Sequence, residues 1–382
     1  MINLWYDYTF KTFGVNNLAI GNRVKSQSKS FLRYYAELPK FLKEYTDVAF
    51  SIKSTNNDNC NTTGKHYYPI ELLYFNGSWS FEISDAITFY NKCKNHNAEF
   101  LIWYPHEGFE YKDHPDSIFH RLHQTYPEIK ITFVFGFLNR PKELPDFINY
   151  CGFDFFQYLH AKDTVDIDPN KSSSFDFLNI IGRLTPQRAY VYYQLLKSNR
   201  LENAKSAFHC YGDVDVISVV NFLKEYNVYS DDMVEWLTLL KKDDTHLQRS
   251  ASISQNENKL LYNGTFLELV QETLFDSSGN LFITEKTYRP IVYGSIFLIC
   301  GQLGTLNYLK TRGVETFDDL FDESYDTEQC WVSRWKIIEQ NVKTWQCMSA
   351  DSQKKYYQKN YDKLIHNQTV VYNTDKTPRP FL

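Results

Sequence analysis

The segment LFITEKTYRPIVYGSIFLIC, residues 281–300, concentrates charged and hydroxyl side chains at the start of one predicted helix. Thr284, Glu285, Lys286 and Arg289 lie within about one and a half turns, directly before an uncharged predicted strand. A helix N-terminus presents backbone N–H groups and the positive end of the helix dipole, to which Lys286 and Arg289 add positive charge. The pattern favours a bound polyanion and leaves Glu285 to accept hydrogen bonds from hydroxyl groups.

The same residues also fit a role without a ligand, because Glu285 and Arg289 have the i,i+4 spacing of an ion pair on a solvated helix face. The surrounding order favours a site. The apolar run FLELVQET, residues 266–273, precedes a polar loop, the helix and the strand SIFLIC, which is the order of a parallel sheet with its site at the strand carboxyl ends. Glu272, at the end of that run, is a further candidate ligand. Pro290 predicts a kink or a late helix start.

A second group of candidates follows the strand predicted in IIGRLTPQRAYVYYQLL, residues 180–196. Arg183 comes directly after that strand, and Arg188 lies on the next predicted helix. A guanidinium group can bind two phosphate oxygens at once through parallel hydrogen bonds. A diphosphate is therefore a natural partner for Arg183, Arg188 or both. The alternative is that both arginines only lie at the solvent-exposed start of a helix and bind no ligand.

The segment ITEKTYRPIVYGSIFLICG resembles the donor-binding motif of the α-1,3-fucosyltransferases, in which an ITEK segment opens a helix and a strand ending in Gly follows. Through residues 301–326 the chain is also similar to glycosyltransferase-like proteins of large tailed bacteriophages. The resemblance implies a nucleoside-diphosphate sugar, a UDP- or GDP-sugar, as donor. It implies that Glu285 binds the ribose hydroxyls and Lys286 a phosphate, with an arginine after the first strand of the donor domain as a further phosphate ligand. Ile283 replaces the aromatic residue that many of those enzymes carry before the glutamate.

The loop WYPHEGFE, residues 103–110, follows the strongest strand signal of the first half. Sugar transfer with inversion needs a general base to take the acceptor hydroxyl's proton, and a carboxylate or imidazole in such a loop can supply it. We expect Glu107 in that role, with His106 and Glu110 behind it. The alternatives are that Pro105 and Gly108 only form a turn, or that the enzyme retains the anomeric configuration.

Strand and helix signals alternate in both halves of the chain, which predicts an α/β fold with parallel sheets. Five runs in the first half have strand composition, among them INLWYDYTF and FDFFQYL. A polar stretch, residues 161–174, reads as a linker. We therefore expect a GT-B architecture of two Rossmann-like domains facing across a cleft: an acceptor-side domain at 1–165, a donor domain at 175–330, and C-terminal helices at 331–370 that pack back on the first domain.

Composition limits the other classes of site and location. The 382 residues carry a formal net charge of −5 and seven cysteines without a C-x-x-C pair, so a disulfide framework or a zinc knuckle is not expected. No apolar run is long enough to span a membrane and no signal peptide is recognisable, which favours a cytoplasmic protein, in an infected host cell if phage-encoded. The pairs Asp166/Asp168 and Asp213/Asp215 have Asp-x-Asp spacing but lie in polar loops, and we expect no metal at the donor site.

Three functions remain open from the sequence. The phage resemblance favours 5-hydroxymethylcytosine in double-stranded DNA as the acceptor, whose base would have to be flipped out of the helix. The fucosyltransferase resemblance favours a glycan or lipopolysaccharide instead. A non-catalytic binding or virion protein with the same fold is the alternative from a different class. The acidic run at residues 313–326, with six carboxylates, reads as a solvated face.

Overall fold

The computed structural model describes residues 2–6, 38, 41–43, 49–54, 60, 63–71, 86–104, 118–160, 165–181, 185–208, 216–242, 261–276 and 280–373. The chain forms two compact units, 1–158 with 375–382, and 159–374. Each described unit contains a parallel sheet with helices, so the predicted α/β fold with two parallel sheets is confirmed. The placement of the two domains across a cleft, the C-terminal helices' packing on the first domain and the exact domain limits stay predictions.

The first unit contains a six-stranded sheet in the order β2-β1-β3-β4-β5-β6, and each neighbouring pair is parallel. The strands are β1 Ile2–Tyr6, β2 Phe50–Ser54, β3 Lys65–Glu71, β4 Ala98–Tyr104, β5 Lys130–Phe135 and β6 Ile148–Gly152. Helices α1 Ala86–Cys93, α2 Ile118–Thr125 and α3 Phe155–His160 accompany them. All seven residues of β4 are buried, which places this strand in the core.

One strand prediction in this unit was wrong, and two of its strands were not predicted. FDFFQYL has aromatic residues that favour strands, but the chain forms helix α3 there, because the carboxylate of Asp154 accepts a hydrogen bond from Gln157 N at 3.2 Å and caps the helix. Strands β3, which contains Pro69, and β6 were not predicted. The pairing of β3 with β1 ends at Tyr67, so Pro69 lies where β3 is paired with β4 alone among the described strands, and its missing N–H is tolerated.

The second unit contains a four-stranded parallel sheet in the order β10-β9-β7-β8. Its strands are β7 Leu178–Ile181, β8 Lys205–Phe208, β9 Leu267–Gln271 and β10 Ile296–Cys300. Its helices before the last strand are α4 Pro186–Lys197, α5 Val216–Glu225, α6 Asp231–Lys242 and α7 Glu285–Val292. Every residue of β9 and β10 is buried, as expected for strands covered on both faces.

Helix α8 Thr305–Thr311, a 3₁₀ turn Glu323–Asp326 and three helices complete this unit. The three are α9 Trp331–Gln346, α10 Ala350–Lys359 and α11 Tyr361–Tyr372. The indole of Trp345 is fully buried and donates to the carbonyl of Asp176 at 2.7 Å, which fixes α9 on the second unit. Within the described residues no helix is long and apolar enough to cross a bilayer.

The described part of the stretch predicted as a linker, residues 165–174, is folded into the second unit. Ile167 is buried, and a Cβ added to Gly294 would come within 2.5 Å of its side chain. Gly294 itself has a φ of 61°, in the left-handed region that favours glycine. Lys171 is also buried and donates to the carbonyl of Tyr262 at 3.1 Å. Polarity alone was therefore an insufficient sign of a linker, since the apolar Ile167 anchors the segment.

Candidate functional site

The order of strands in the second sheet defines where a ligand can bind. β7 and β9 are neighbours, although β8 lies between them in the sequence. The chain leaves β7 toward one side of the sheet and returns through β9 and β10 on the other. In open α/β sheets, ligands bind outside the strand carboxyl ends at such a switch point. Glu272 and Thr273 follow β9 at this edge, and helix α7 begins beside them.

Glu272 is 1% exposed, and its carboxylate is bonded to the N-terminus of α7. Its oxygens accept from the backbone N–H groups of Thr284 at 3.1 Å and Thr287 at 3.2 Å, and from both threonine hydroxyls at 2.6 Å. A further bond comes from the N–H of Thr273 at 3.0 Å. A buried carboxylate thus lies at the positive end of the helix dipole.

This arrangement differs from the expected binding of a polyanion to the backbone N–H groups of the helix. Two of those groups, at Thr284 and Thr287, already donate to Glu272. Thr284, 2% exposed, is the N-cap residue, and its hydroxyl accepts from the N–H of Lys286 at 3.4 Å. The structure therefore places Glu272 and Thr284 as residues that position the helix start. The helix begins at Glu285 and includes Pro290, so the prediction that this proline delays the helix start was wrong.

Lys286 and Glu285 are partly exposed, as is Arg289 further along the helix. The Lys286 ammonium donates to Glu285 Oε1 at 2.6 Å, to the hydroxyl of Thr284 at 3.2 Å and to that of Thr273 at 3.3 Å. The side chains of Lys286 and Glu285 are 15% and 36% exposed. Burial raises the pKa of Glu285, but the charge and hydrogen bond of Lys286, with the charge of Arg289, outweigh it and lower this pKa to about 2. The Glu285 carboxylate is therefore ionised at neutral pH.

Arg289 lies one turn further along α7, beside acidic groups of the interior. Burial lowers its pKa, but the charges of Tyr262, Glu268, Glu285 and Glu272 raise it overall. Its buried Nε has no hydrogen-bond partner among the described residues. Glu268, on β9, accepts a hydrogen bond from the hydroxyl of Tyr262, and burial raises the pKa of Glu268 to about 7. Arg289 thus balances carboxylates inside the unit.

Arg188 is 2% exposed and bonded to the backbone at the end of β9. Its Nε donates to the carbonyl of Glu272 at 3.0 Å, and an Nη donates to the carbonyl of Gln271 at 2.8 Å. Thr185 caps the helix that carries it. The structure therefore gives Arg188 a positioning role beneath Glu272, in place of the expected exposed phosphate contact. Arg183 lies outside the described residues and stays a predicted phosphate ligand.

A second buried arginine was missed by the sequence reasoning. Arg334 on α9 is 1% exposed and donates to the carbonyls of Gly301 at 2.6 Å, Asp276 at 3.1 Å and Glu328 at 3.1 Å. It fixes the end of β10 as Arg188 fixes the end of β9. The available signal was its position in WVSRWKII, on the same helix face as Trp331 and Ile338, where a cation needs buried partners.

The acidic run at residues 313–326 has a structural role that its charge did not suggest. Asp326 is 8% exposed, and its carboxylate accepts from the N–H groups of Leu306 at 2.8 Å and Asn307 at 2.9 Å. Glu323 accepts from the ammonium of Lys310 at 2.7 Å. The expected solvated face was therefore wrong for Asp326, which caps helix α8.

The remaining candidate residues are those proposed as the general base or as metal ligands, and most of them cannot be placed. His106, Glu107 and Glu110 lie outside the described residues, as do Asp213 and Asp215. Asp168 is described: its carboxylate accepts from the N–H of Asn170 at 2.8 Å, the bond of an Asx turn.

Comparison with known proteins identified neither a matching family model nor a similar curated sequence. Several solved structures are similar to this chain. A DNA-modifying β-glucosyltransferase, solved with and without uridine diphosphoglucose, is 12% identical and has a TM-score of 0.42, over 100% of this chain and 97% of that chain. A T4 phage β-glucosyltransferase gives 11% and 0.41, over 100% and 96%. An α-glucosyltransferase in complex with UDP and a 13-mer DNA containing a HMU base gives 12% and 0.37, over 96% and 95%. All three are described as glucosyltransferases.

Proposed function

We propose that this chain is a glycosyltransferase that takes its sugar from a nucleoside diphosphate. The observation that carries the proposal is the position of Lys286 and Glu285, a salt-bridged and partly exposed pair at the carboxyl edge of the second sheet, at its switch point. Phosphate needs a cation and ribose needs a hydrogen-bond acceptor, and both groups stand side by side here. The ITEK resemblance assigns the same two roles to the same two residues.

In the proposed binding step, the donor exchanges partners with the ion pair. The three described hydrogen bonds of Lys286 use all three protons of its ammonium group, so a phosphate oxygen must replace one of these acceptors. Displacing Glu285 frees that carboxylate to accept from the ribose hydroxyls. One charged hydrogen bond is thereby replaced by another, while Glu272 and Arg188 keep the helix start and strand end in place.

For the chemical step, we propose Glu107 as the general base that deprotonates the acceptor hydroxyl, with inversion at the sugar and His106 as the alternative base. We propose 5-hydroxymethylcytosine in DNA as the acceptor, supported by the resemblance to phage glycosyltransferases through residues 301–326. The formal net charge of −5 does not by itself favour DNA, so a basic surface would have to be local. A fucosyltransferase-like reaction on a glycan or lipopolysaccharide is the alternative within the same class.

The donor site is tested by kinetics and thermal shift. Lys286→Ala and Glu285→Ala should each raise the donor's apparent KM by about 10- to 150-fold, since loss of a hydrogen bond to a charged group costs about 1.5–3 kcal/mol. Lys310→Ala is the matched control, because it removes an ion-paired lysine of the same unit away from the motif. A saturating nucleoside diphosphate should stabilise the wild type, by about 2.7 kcal/mol at 100 times Kd. If no donor in a UDP- and GDP-sugar panel shifts the melting curve, the non-catalytic alternative is favoured.

The acceptor is tested separately. A duplex containing hydroxymethylcytosine, incubated with UDP-glucose and other donors, should gain the mass of one sugar per modified base after nuclease digestion. An unmodified duplex is the control. Transfer to glycans with every modified duplex unchanged would refute the DNA acceptor and leave the glycosyltransferase proposal standing.

A further inference from the structure

A cluster of metal-binding side chains lies in the first unit, away from the motif of the second sheet. Cys60, His66 and Cys93 are all buried, and one ligand atom of each lies within 4.8 Å of the others. Cys60 Sγ is 3.5 Å from His66 Nδ1. The three residues come from different parts of the fold: Cys60 precedes β3, His66 is in β3, and Cys93 is the last residue of α1.

The distances agree with the geometry of zinc. In a tetrahedral site with Zn–S of about 2.3 Å and Zn–N of about 2.0–2.1 Å, neighbouring sulfur and nitrogen atoms are about 3.6 Å apart and two sulfur atoms about 3.8 Å. The measured distance from Cys60 Sγ to His66 Nδ1 is within about 0.1 Å of the first value. All the ligand atoms of the cluster lie within 4.8 Å of one another, a limit about 1 Å above the ideal separation of two sulfur atoms.

A fourth ligand is available close by. The imidazole of His96 lies with its centroid 6.1 Å from that of His66. The N–H of His96 donates to the carbonyl of Cys93 at 2.9 Å, and the N–H of His66 donates to the carbonyl of Asn97 at 2.7 Å. The loop that carries His96 is therefore bonded to both sides of the cluster. Cys93 and His96 have C-x-x-H spacing, and with Cys60 and His66 they make two cysteines and two histidines, a ligand set of structural zinc sites.

We propose that Cys60, His66 and Cys93 bind a Zn²⁺ ion, with His96 as the fourth ligand. Zn²⁺ favours thiolate and imidazole ligands, whereas Mg²⁺ and Ca²⁺ prefer oxygen ligands. The burial of Cys60, His66 and Cys93 indicates a structural site that ties the end of α1 to β3, with the exposed His96 as its ligand on the solvent side. The proposal does not depend on the proposed transfer reaction, and it differs from the sequence expectation, which found no C-x-x-C pair. The ligands are brought together by the pairing of His66 with Ala98 in neighbouring strands.

The test uses the full chain. The protein purified under reducing conditions should contain about one equivalent of zinc by mass spectrometry, and replacement by Co²⁺ should give thiolate-to-cobalt charge-transfer absorption. Cys60→Ser, Cys93→Ser and His66→Gln should each remove metal and absorption, and His96→Gln should weaken Co²⁺ affinity without abolishing it. Cys151→Ser is the control, because it removes another cysteine of the same unit and should change nothing.

A measurement on the wild type covers the case in which the variants fail to fold. Chelation should make Cys60 and Cys93 accessible to a thiol-labelling reagent, so their labelling should rise after the metal is removed. The labelling of Cys347 should stay constant. The proposal is overturned if the reconstituted protein binds less than a tenth of an equivalent, or if the cobalt band survives in both cysteine variants. A chain two hydrogen atoms lighter, with Cys60 linked to Cys93, would assign the pair to a disulfide and also refute it.

Discussion

Replacing Glu272 by glutamine should loosen the start of helix α7 without changing the shape of the side chain. In the wild type, one carboxylate oxygen accepts from the N–H groups of Thr284 and Thr287 and from the hydroxyl of Thr287. A glutamine oxygen can retain these three bonds in a neutral form. The second oxygen becomes an NH₂ group, which can still donate to the hydroxyl of Thr284 but faces the N–H of Thr273, a donor.

The expected loss has two parts. A buried N–H left facing a donor at Thr273 costs about 1–3 kcal/mol. Removing the negative charge from the helix N-terminus costs up to about 2 kcal/mol in a buried site. Because the two changes share one side chain they do not simply add, and we expect Glu272→Gln to lower the free energy of unfolding by about 2–4 kcal/mol.

Urea unfolding followed by circular dichroism measures this difference, with Glu235→Gln as a control that neutralises an exposed glutamate of the same unit. In the folded variant, the donor's KM should rise with little change in kcat, since Glu285 and Lys286 lose their fixed position. A loss of stability no larger than that of Glu235→Gln would refute the assignment of Glu272 to the helix N-terminus. A raised KM in the control as well would show a nonspecific effect of charge.

Three further predictions follow from the same geometry. Burial raises the pKa of Glu268 to about 7 in the folded chain, against about 4.3 in an unfolded one. Between these two pH values the folded chain keeps the proton and the unfolded chain releases it. The free energy of unfolding should therefore fall by about 3–4 kcal/mol between about pH 4.3 and 7. Glu268→Gln should flatten this profile in urea unfolding at pH 5 and 7.5, and parallel profiles would contradict it. Brief EDTA treatment should leave turnover intact, with zinc content measured in the same sample, whereas loss restored by Mn²⁺ would implicate Asp166 or Asp213. Glu107→Gln should keep donor binding in a thermal shift but lose about 10²–10⁴-fold in turnover, and wild-type turnover would exclude it as the base.

Most of the described strands and helices were predictable, because their signals are local. The uncharged SIFLIC and the alternation around it predicted β10 and α7, which form at Ile296–Cys300 and Glu285–Val292. Errors arose where a single polar or cyclic residue decides. Asp154 turns an aromatic run into a helix, and Pro69 conceals a strand whose one-sided pairing is fixed only by the assembled sheet.

The sequence indicated which charged residues lie near the strand ends of the second unit. It did not indicate which groups each of them contacts. Glu272 is bonded to residues twelve and fifteen positions away, a contact that no periodicity reveals. The same holds for Arg188, whose carbonyl partners lie more than eighty residues along the chain. Sequence spacing identified charged groups near a strand end, and only the tertiary contacts separate the residues that hold the backbone from Lys286 and Glu285, which are partly open to a ligand.

If Lys286 binds a donor phosphate as proposed, its three hydrogen bonds also predict selectivity against simple anions. Inorganic phosphate that displaced Glu285 from Lys286 would remove its hydrogen-bonded cation and offer the carboxylate no hydroxyl donor in exchange, so it would compete poorly. A nucleoside without phosphate supplies hydroxyls but cannot draw the ammonium away from the carboxylate. Only a molecule that carries both groups, a suitable distance apart, satisfies both released partners. In the proposed donor site, the ion pair would thus compete with simple phosphates for Lys286 before any contact with the base or the sugar is made.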